Sequence, residues 1–348
     1  MCNITRTLGE FSIRDVSFEV RDGEYFILLG ASGVGKTVLL ETIAGLLKPD
    51  RGSIFLDDKD ITSAGIQNRH IGLVYQDQAL FPHLSVRGNI AYGLKSRKLA
   101  SAEIKRRTER IAEDVGVRPL LGRRPESLSG GEAQRVALAR TLAIEPRCCL
   151  LDEPISSLDT KSKADIRALL RKLNRAGHTI VHVTHDFQEA ISLASRIAVM
   201  ENGTIAQVGP AEEVFRRPKS EFVARFIGIR NFFKGNLRGS GKNGLREFNS
   251  AGPTFHILTE AESGPGYVMV RSEDITLAET HSETSARNSF TGTVTEVAPA
   301  RLGVEVLVDV GVEISALVTR ESVRKLGLEV GKRVWVDFKA SALEFIGE

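Results

Sequence analysis

Cysteine is scarce in this chain, with three in 348 residues, at Cys2, Cys148 and Cys149. Adjacent cysteines do not easily bridge each other, and no metal-ligand spacing is present. A disulfide framework is therefore excluded, and the simplest compartment is a reducing cytosol. Long apolar runs are also missing. Runs such as Tyr25–Leu29 and 148–151 fall far short of the ~18–20 residues that a spanning helix needs. No basic segment followed by an apolar stretch opens the chain, so no secretory signal is expected. Neither sign of charge dominates: Lys+Arg 47 against Asp+Glu 44 leaves a net +3, too weak to argue for a nucleic-acid partner. What is present is an ordinary globular balance, 42% hydrophobic and 26% charged, enough apolar mass for real cores and against dominant disorder. The length predicts two or three domains.

The pattern changes near residue 230. Before it, short apolar runs alternate with helical sequence. Tyr25–Leu29 is followed by a Gly-rich turn over 30–37 and a helix over 38–44. The runs 147–151 and 179–184 are each followed by helix-like sequence, which predicts an α/β domain with a largely parallel sheet. The stretches 196–200 and 204–208 flank Glu201-Asn202-Gly203, a strong hairpin signal. After residue 230, Val-rich alternation at 268–270, 304–310 and 334–336, punctuated by Gly, predicts short strands in a small barrel or sandwich. A weak repeat runs through this tail: Asn231-Phe232-Phe233-Lys234-Gly235-Asn236-Leu237 matches Asn288-Ser289-Phe290-Thr291-Gly292-Thr293-Val294 at Asn, Phe, Gly and the final aliphatic. The expected division is 1–229 and 230–348, with the tail split into units of 230–283 and 284–348.

Gly30-Ala31-Ser32-Gly33-Val34-Gly35-Lys36-Thr37 fits G-x-x-x-x-G-K-[ST] between a strand and a helix. Glycines let the backbone turn its N–H groups onto phosphates, and the next helix adds its positive end. Lys36 would reach the β/γ-phosphates and the Thr37 hydroxyl would hold Mg²⁺. Leu150-Leu151-Asp152-Glu153 ends a strand in two carboxylates. Alone, such a pair is most often a solvated turn. Beside a phosphate loop, Asp152 suits Mg²⁺ and Glu153 suits deprotonation of the attacking water. Ser129 is a good N-cap, Glu132 completes a capping box, and Gly130-Gly131 would let a phosphate approach.

These segments occur in a fixed order with Ser157-Leu158-Asp159 and Thr184-His185-Asp186. Over roughly 1–230 the set resembles the ATP-binding subunit of an ABC transporter. The resemblance implies a P-loop α/β domain with a mixed sheet and a helical subdomain, followed here by an all-β domain of two small barrel-like units. It implies ATP hydrolysis with ATP and Mg²⁺, and a head-to-tail homodimer. Each ATP would lie between one subunit's phosphate loop and the other's Ser129, Gly130, Gly131 and Glu132. It makes Gln76 a Mg²⁺ contact that senses the permease, His185 a γ-phosphate contact and Asp159 a residue of the dimer seam. The family's adenine-stacking aromatic aligns near Leu8, with Phe11 close by, and Leu8 offers only an apolar contact. The segment 80–86 is similar to the importers' contact with the permease. That implies integral-membrane permease subunits, an extracytoplasmic substrate-binding protein acting indirectly, and a peripheral place on the cytoplasmic side of the membrane.

The substrate clue is in the tail. Ser285-Ala286-Arg287-Asn288 with a Gly at 292, and Lys339-Ala340-Ser341 beyond Val318-Thr319-Arg320-Glu321-Ser322, resemble small molybdate-binding domains. A tetrahedral oxyanion needs hydroxyl and N–H donors and one or two cations. Ser285, Arg287, Asn288, Lys339 and Ser341 supply those types, which implies molybdate or tungstate at a regulatory domain that feeds back on import. The rivals are importers of sulfate, ferric iron, polyamine or sugar, and a soluble ATPase of nucleic-acid metabolism. Charge and the 80–86 segment weigh against the last.

Overall fold

The computed structural model describes residues 1–97, 99–239, 244–281, 284–300 and 302–347, in two units, Met1–Arg216 and Arg217–Glu348. The first unit opens on a hairpin, β1 (Cys2–Leu8) and β2 (Phe11–Val16), whose end pairs Leu8 with Phe11. β3 (Tyr25–Leu29) is buried along its whole length and leads into α1 (Lys36–Ala44). β4 (Arg51–Ser53) pairs with β1, and β5 (Phe55–Leu56) with β6 (Lys59–Asp60) make a small ribbon before β7 (Ile71–Val74). Three helices follow without a strand between them: α2 (Val86–Lys95), α3 (Ser101–Asp114) and α4 (Gly130–Leu142). Alternation then resumes with β8 (Cys148–Asp152), α5 (Thr160–Arg175), β9 (Ile180–Thr184), α6 (Phe187–Leu193), β10 (Arg196–Glu201), β11 (Thr204–Pro210) and α7 (Ala211–Arg216).

The main sheet runs β11-β10-β3-β9-β8-β7, parallel except at β11. Parallel strands covered on both faces read as unbroken apolar runs, which is why β3, β8 and β9 stand out in the sequence. Register aligns their ends: Leu29 pairs with Thr184, and Asp152 with Val183. The loops after β3, β8 and β9 therefore leave one edge of the sheet, where ligands bind in open α/β sheets. The β10–β11 turn has Asn202 at φ 45° and Gly203 at φ 79°, the left-handed pair that the Asn-Gly dipeptide supplies.

The second unit begins with α8 (Glu221–Phe226) and is otherwise almost all strand. Its strands are β12 (Asn231–Arg238), β13 (Leu245–Ser250), β14 (Thr254–Leu258), β15 (Gly264–Val270), β16 (Thr276–Ala278), β17 (Asn288–Ala300), β18 (Gly303–Asp309) and β19 (Glu313–Val318). After α9 (Arg320–Lys325) come β20 (Arg333–Phe338) and β21 (Glu344–Gly347). They form two five-stranded sheets, β14-β13-β12-β15-β21 and β16-β20-β17-β18-β19. Each half of the tail lends its last strand to the other: β16 pairs with β20, and β21 with β15. One core joins both sheets, with Phe248, Phe255, Val268, Val306, Val308, Val336 and Phe338 buried together.

Candidate functional site

The loop after β3 is shaped by what surrounds it. Gly35 lies at φ 101°, and a Cβ there would stand 2.6 Å from the Phe11 ring. No side chain caps α1, so the N–H groups of its first turn are left for an anion. Lys36 is buried, and its Nζ donates to the carbonyls of Gly30 and Ala31, each at 2.8 Å. The lysine thus bridges its own loop, with its ammonium placed where the loop closes. Burial lowers its pKa, opposed by the nearby carboxylates of Glu153 and Asp152. The Thr37 hydroxyl donates to Asp152 Oδ1 at 3.2 Å, joining the phosphate loop to the end of β8. Leu8 is half-buried at the hairpin end. Its pairing partner Phe11 is the residue whose ring faces the loop at Gly35, a neighbour that spacing alone does not specify.

Asp152 is buried, and burial pushes its carboxyl up while the Thr37 hydrogen bond pulls it down. Glu153 sits at φ 42°, a left-handed conformation that costs a non-glycine residue of order 1–3 kcal/mol. Its N–H is anchored on Val183 O at 3.0 Å and its carbonyl accepts from Ser156 Oγ at 3.0 Å. That geometry brings Glu153 Oε1 to 3.0 Å from His185 Nδ1. His185 follows β9, where the Thr184 hydroxyl donates to the buried Glu189 at 2.8 Å and accepts from the Asp186 N–H at 3.0 Å. Gln76 lies in a cleft shared with Tyr75, Asp77, Gln78, Asp152 and Ser157. The fold thus gathers Lys36, Thr37, Asp152, Glu153 and His185, and sets Gln76 beside Asp152. The oxygen donors of Thr37 and Asp152, 3.2 Å apart with an amide in the same cleft, fit a hard divalent cation such as Mg²⁺.

Ser129, Gly130, Gly131 and Glu132 form a second group. The Ser129 Oγ accepts from the Glu132 N–H at 3.3 Å and Glu132 Oε2 accepts from the Ser129 N–H at 2.8 Å, so the expected capping box is present. That N–H holds the Glu132 carboxyl below its ordinary range. Asp159 caps α5 through Lys161 and Ser162. The two helix starts touch: a Cβ on Gly131 would lie 3.0 Å from Ser162 Oγ. The segment 80–86 is braced from beneath. The buried Asn89 amide donates to the carbonyls of Phe81, Leu84 and Ser85 and accepts from the Phe81 N–H. Arg140 on α4 donates to Gln78 O at 3.0 Å and Ala79 O at 2.6 Å, with its guanidinium 5.1 Å from the Phe81 ring centre. Neither brace carries a motif, so neither is visible before folding.

In the tail, Asn288 pairs with Phe338 as the first residue of β17. Arg287 precedes β17 and Lys339 follows β20, each one residue beyond this pair, so the two halves of the oxyanion pattern meet at one sheet end. Both side chains are exposed, as are Ser285 and Ser341. Asn288 behaves differently from the expected ligand. It is buried, accepting from the His256 N–H at 2.7 Å and donating to His256 O at 2.8 Å, so its amide joins the two sheets.

Comparison with known proteins matches both parts. The model of the ABC transporter family matches residues 13–156, and that of the TOBE domain matches 284–345. The chain is 43% identical over 346 residues to the molybdate/tungstate import ATP-binding protein WtpC of Pyrococcus abyssi, covering 98% of each chain. It is 47% identical over 288 residues to the protein of that name from Thermococcus kodakarensis, covering 82% of this chain and 85% of the other. Identity to the sulfate/thiosulfate import ATP-binding protein CysA of a Synechocystis strain is 40% over 341 residues, covering 96% and 91%. Among solved structures, cbiO1 from Clostridium perfringens, part of an ABC transporter complex, matches with a TM-score of 0.58 and 31% identity, over 62% of this chain and 89% of that one.

Proposed function

The chain belongs to the ATP-binding subunits of ABC-type importers, and from that premise we propose that it energises uptake of molybdate or tungstate. It binds and hydrolyses ATP as the partner of membrane permease subunits. Among its described residues no helix is long and apolar enough to cross a membrane; its likeness to import ATP-binding proteins supports a peripheral place on the cytoplasmic side.

The chemistry follows from the gathered residues. In our reading, the α1 N-terminus and Lys36 take the β/γ-phosphates, with Lys36 giving up its loop carbonyls for phosphate oxygens. Thr37, Asp152 and Gln76 would hold Mg²⁺, which when bound neutralises phosphate charge. Glu153 takes the proton of the attacking water, and His185 orients that carboxylate while reaching the γ-phosphate. A second copy of the chain, docked head to tail, supplies Ser129, Gly130, Gly131 and Glu132 against the same nucleotide, with Asp159 at the seam. Leu8 and Phe11 flank the adenine end. The substrate-binding protein acts through the permease. The tail takes oxyanion at Ser285, Arg287, Lys339 and Ser341 and slows hydrolysis when the anion is plentiful.

The observation that carries the hydrolytic reading is the 3.0 Å approach of His185 Nδ1 to Glu153 Oε1, beside a phosphate loop tied to Asp152. Glu153→Gln tests it. The amide keeps shape but cannot accept the proton, so turnover should fall by about 10²–10⁴ with ATP binding retained. Hydrolysis at the wild-type rate would move the base elsewhere. Sulfate import is the second reading, favoured by the near full-length likeness to a sulfate/thiosulfate import protein.

A further inference from the structure

We propose that the tail contains two anion sites related by an internal two-fold, and that the first is filled by the chain's own carboxylate, Glu305. The inference rests on the oxyanion reading of Arg287 and Lys339 for its second site only. The two sheets have the same order: β14-β13-β12-β15-β21 corresponds to β19-β18-β17-β20-β16. Each contains a buried asparagine at the start of its central strand. Asn231 accepts from the Ser315 N–H at 2.6 Å and donates to Ser315 O at 2.8 Å, as Asn288 does with His256. Asn231 pairs with Val270 and Asn288 with Phe338. One step beyond each pair stand two cations, Arg230 and Arg271 in the first sheet, Arg287 and Lys339 in the second. Arg271 and Lys339 each precede a short 3₁₀ turn, Ser272–Asp274 and Ala340–Ala342.

The two cation pairs differ in what faces them. In the first, Glu305 Oε1 lies 3.0 Å from Arg230 Nε and accepts from the Ser315 hydroxyl at 2.6 Å. The Ser272 hydroxyl is 3.0 Å from that of Ser315. A guanidinium and a hydroxyl converge on one carboxylate oxygen, with a second hydroxyl behind. These are the donors a tetrahedral oxyanion requires. Glu305 is largely covered, with 17% of its side chain exposed. Register identifies its counterpart in the other half. Leu307 pairs with Ser315 and Glu247 with His256, so two residues back along each strand Glu305 corresponds to Leu245. An aliphatic side chain therefore stands in the second site where the first has its carboxylate. Among the described residues neither Arg287 nor Lys339 has an ion-pair partner. A carboxylate tethered beside its cation has a high effective concentration and excludes free anions by repulsion as well as occupancy. The first site is thus satisfied within the fold and the second is left for an external oxyanion.

The test is stoichiometry, measured by calorimetry and equilibrium dialysis of the full chain with tungstate. The wild type should take one equivalent per chain and Arg287→Ala none. Glu305→Ala should take two, and Glu305→Ala with Arg230→Ala should return to one. Near-ultraviolet circular dichroism checks folding, and Glu305→Ser serves if the alanine variant is not native. Two equivalents in the wild type, or no added equivalent in both folded Glu305 variants, would overturn the inference. A wild type that binds none while Glu305→Ala binds one would uphold it and remove the reading of Arg287 and Lys339 instead.

Discussion

Asp152, the residue proposed to hold Mg²⁺, is one that burial makes costly to the fold. Burial raises its folded-state pKa above the unfolded value. Its contribution to stability is therefore greatest below the unfolded pKa and is lost as pH rises through the raised one. Above that raised pKa the ionised form burdens the fold. Asp152→Asn should raise the thermal midpoint of the ligand-free protein at pH 7, with a smaller gain at pH 4, while turnover is lost. A lowered midpoint at pH 7 would contradict the sign. At this scale the sequence is most legible where one spacing has one physical use. The glycines and Lys36 of the phosphate loop, and the Ser129–Glu132 capping box, are of this kind. It is less legible where a side chain's partner comes from a distant segment. Asn288 carries a motif position, yet His256, which absorbs its amide, is announced by nothing nearby.

Elements tell the same story through periodicity. The buried strands β3, β8 and β9 and the Asn202-Gly203 hairpin can be read directly, because an apolar run or a left-handed turn leaves a local mark. Helix α3 leaves a mark of its own, Ile104, Thr108, Ile111 and Ala112 recurring at helical spacing among charged residues, but it carries no motif and places no site residue. Between α4 and the segment after β7 lies Arg140, which holds Gln78 and Ala79 in left-handed conformations, at φ 59° and 43°. It links α4, capped by Ser129, to the residues just before the segment 80–86, which we propose meets the permease. Lysine cannot donate to both carbonyls and stack on Phe81 in the same way. Arg140→Lys should therefore lower permease-stimulated hydrolysis several-fold and basal hydrolysis little. Equal losses in both assays would reduce Arg140 to a structural brace.

At the scale of the whole molecule, the change of pattern near residue 230 shows that two kinds of architecture follow one another. The exchange of β16 and β21 is not legible, because strand pairing between segments tens of residues apart leaves no periodic trace. It has a consequence for stability. Phe345, on the strand that the second half adds to the first sheet, packs against Phe248 of the first half, with ring centres 6.1 Å apart, on a core shared by both sheets. Phe345→Ala should cost about 2–3 kcal/mol and loosen both sheets together, seen as matched gains in amide exchange on β12–β14 and β17–β19. Exchange confined to one sheet would mean that the halves fold independently.

The central claim, that this ATPase drives oxyanion import, is tested most directly by uptake. The chain would be assembled with its permease and substrate-binding protein in sealed vesicles, with ATP on the side of this subunit. Labelled tungstate or molybdate should accumulate with the wild type and fail to accumulate with Glu153→Gln, and sulfate should compete poorly. Accumulation of sulfate in preference to both metal oxyanions, or tungstate uptake undiminished by Glu153→Gln, would contradict the account.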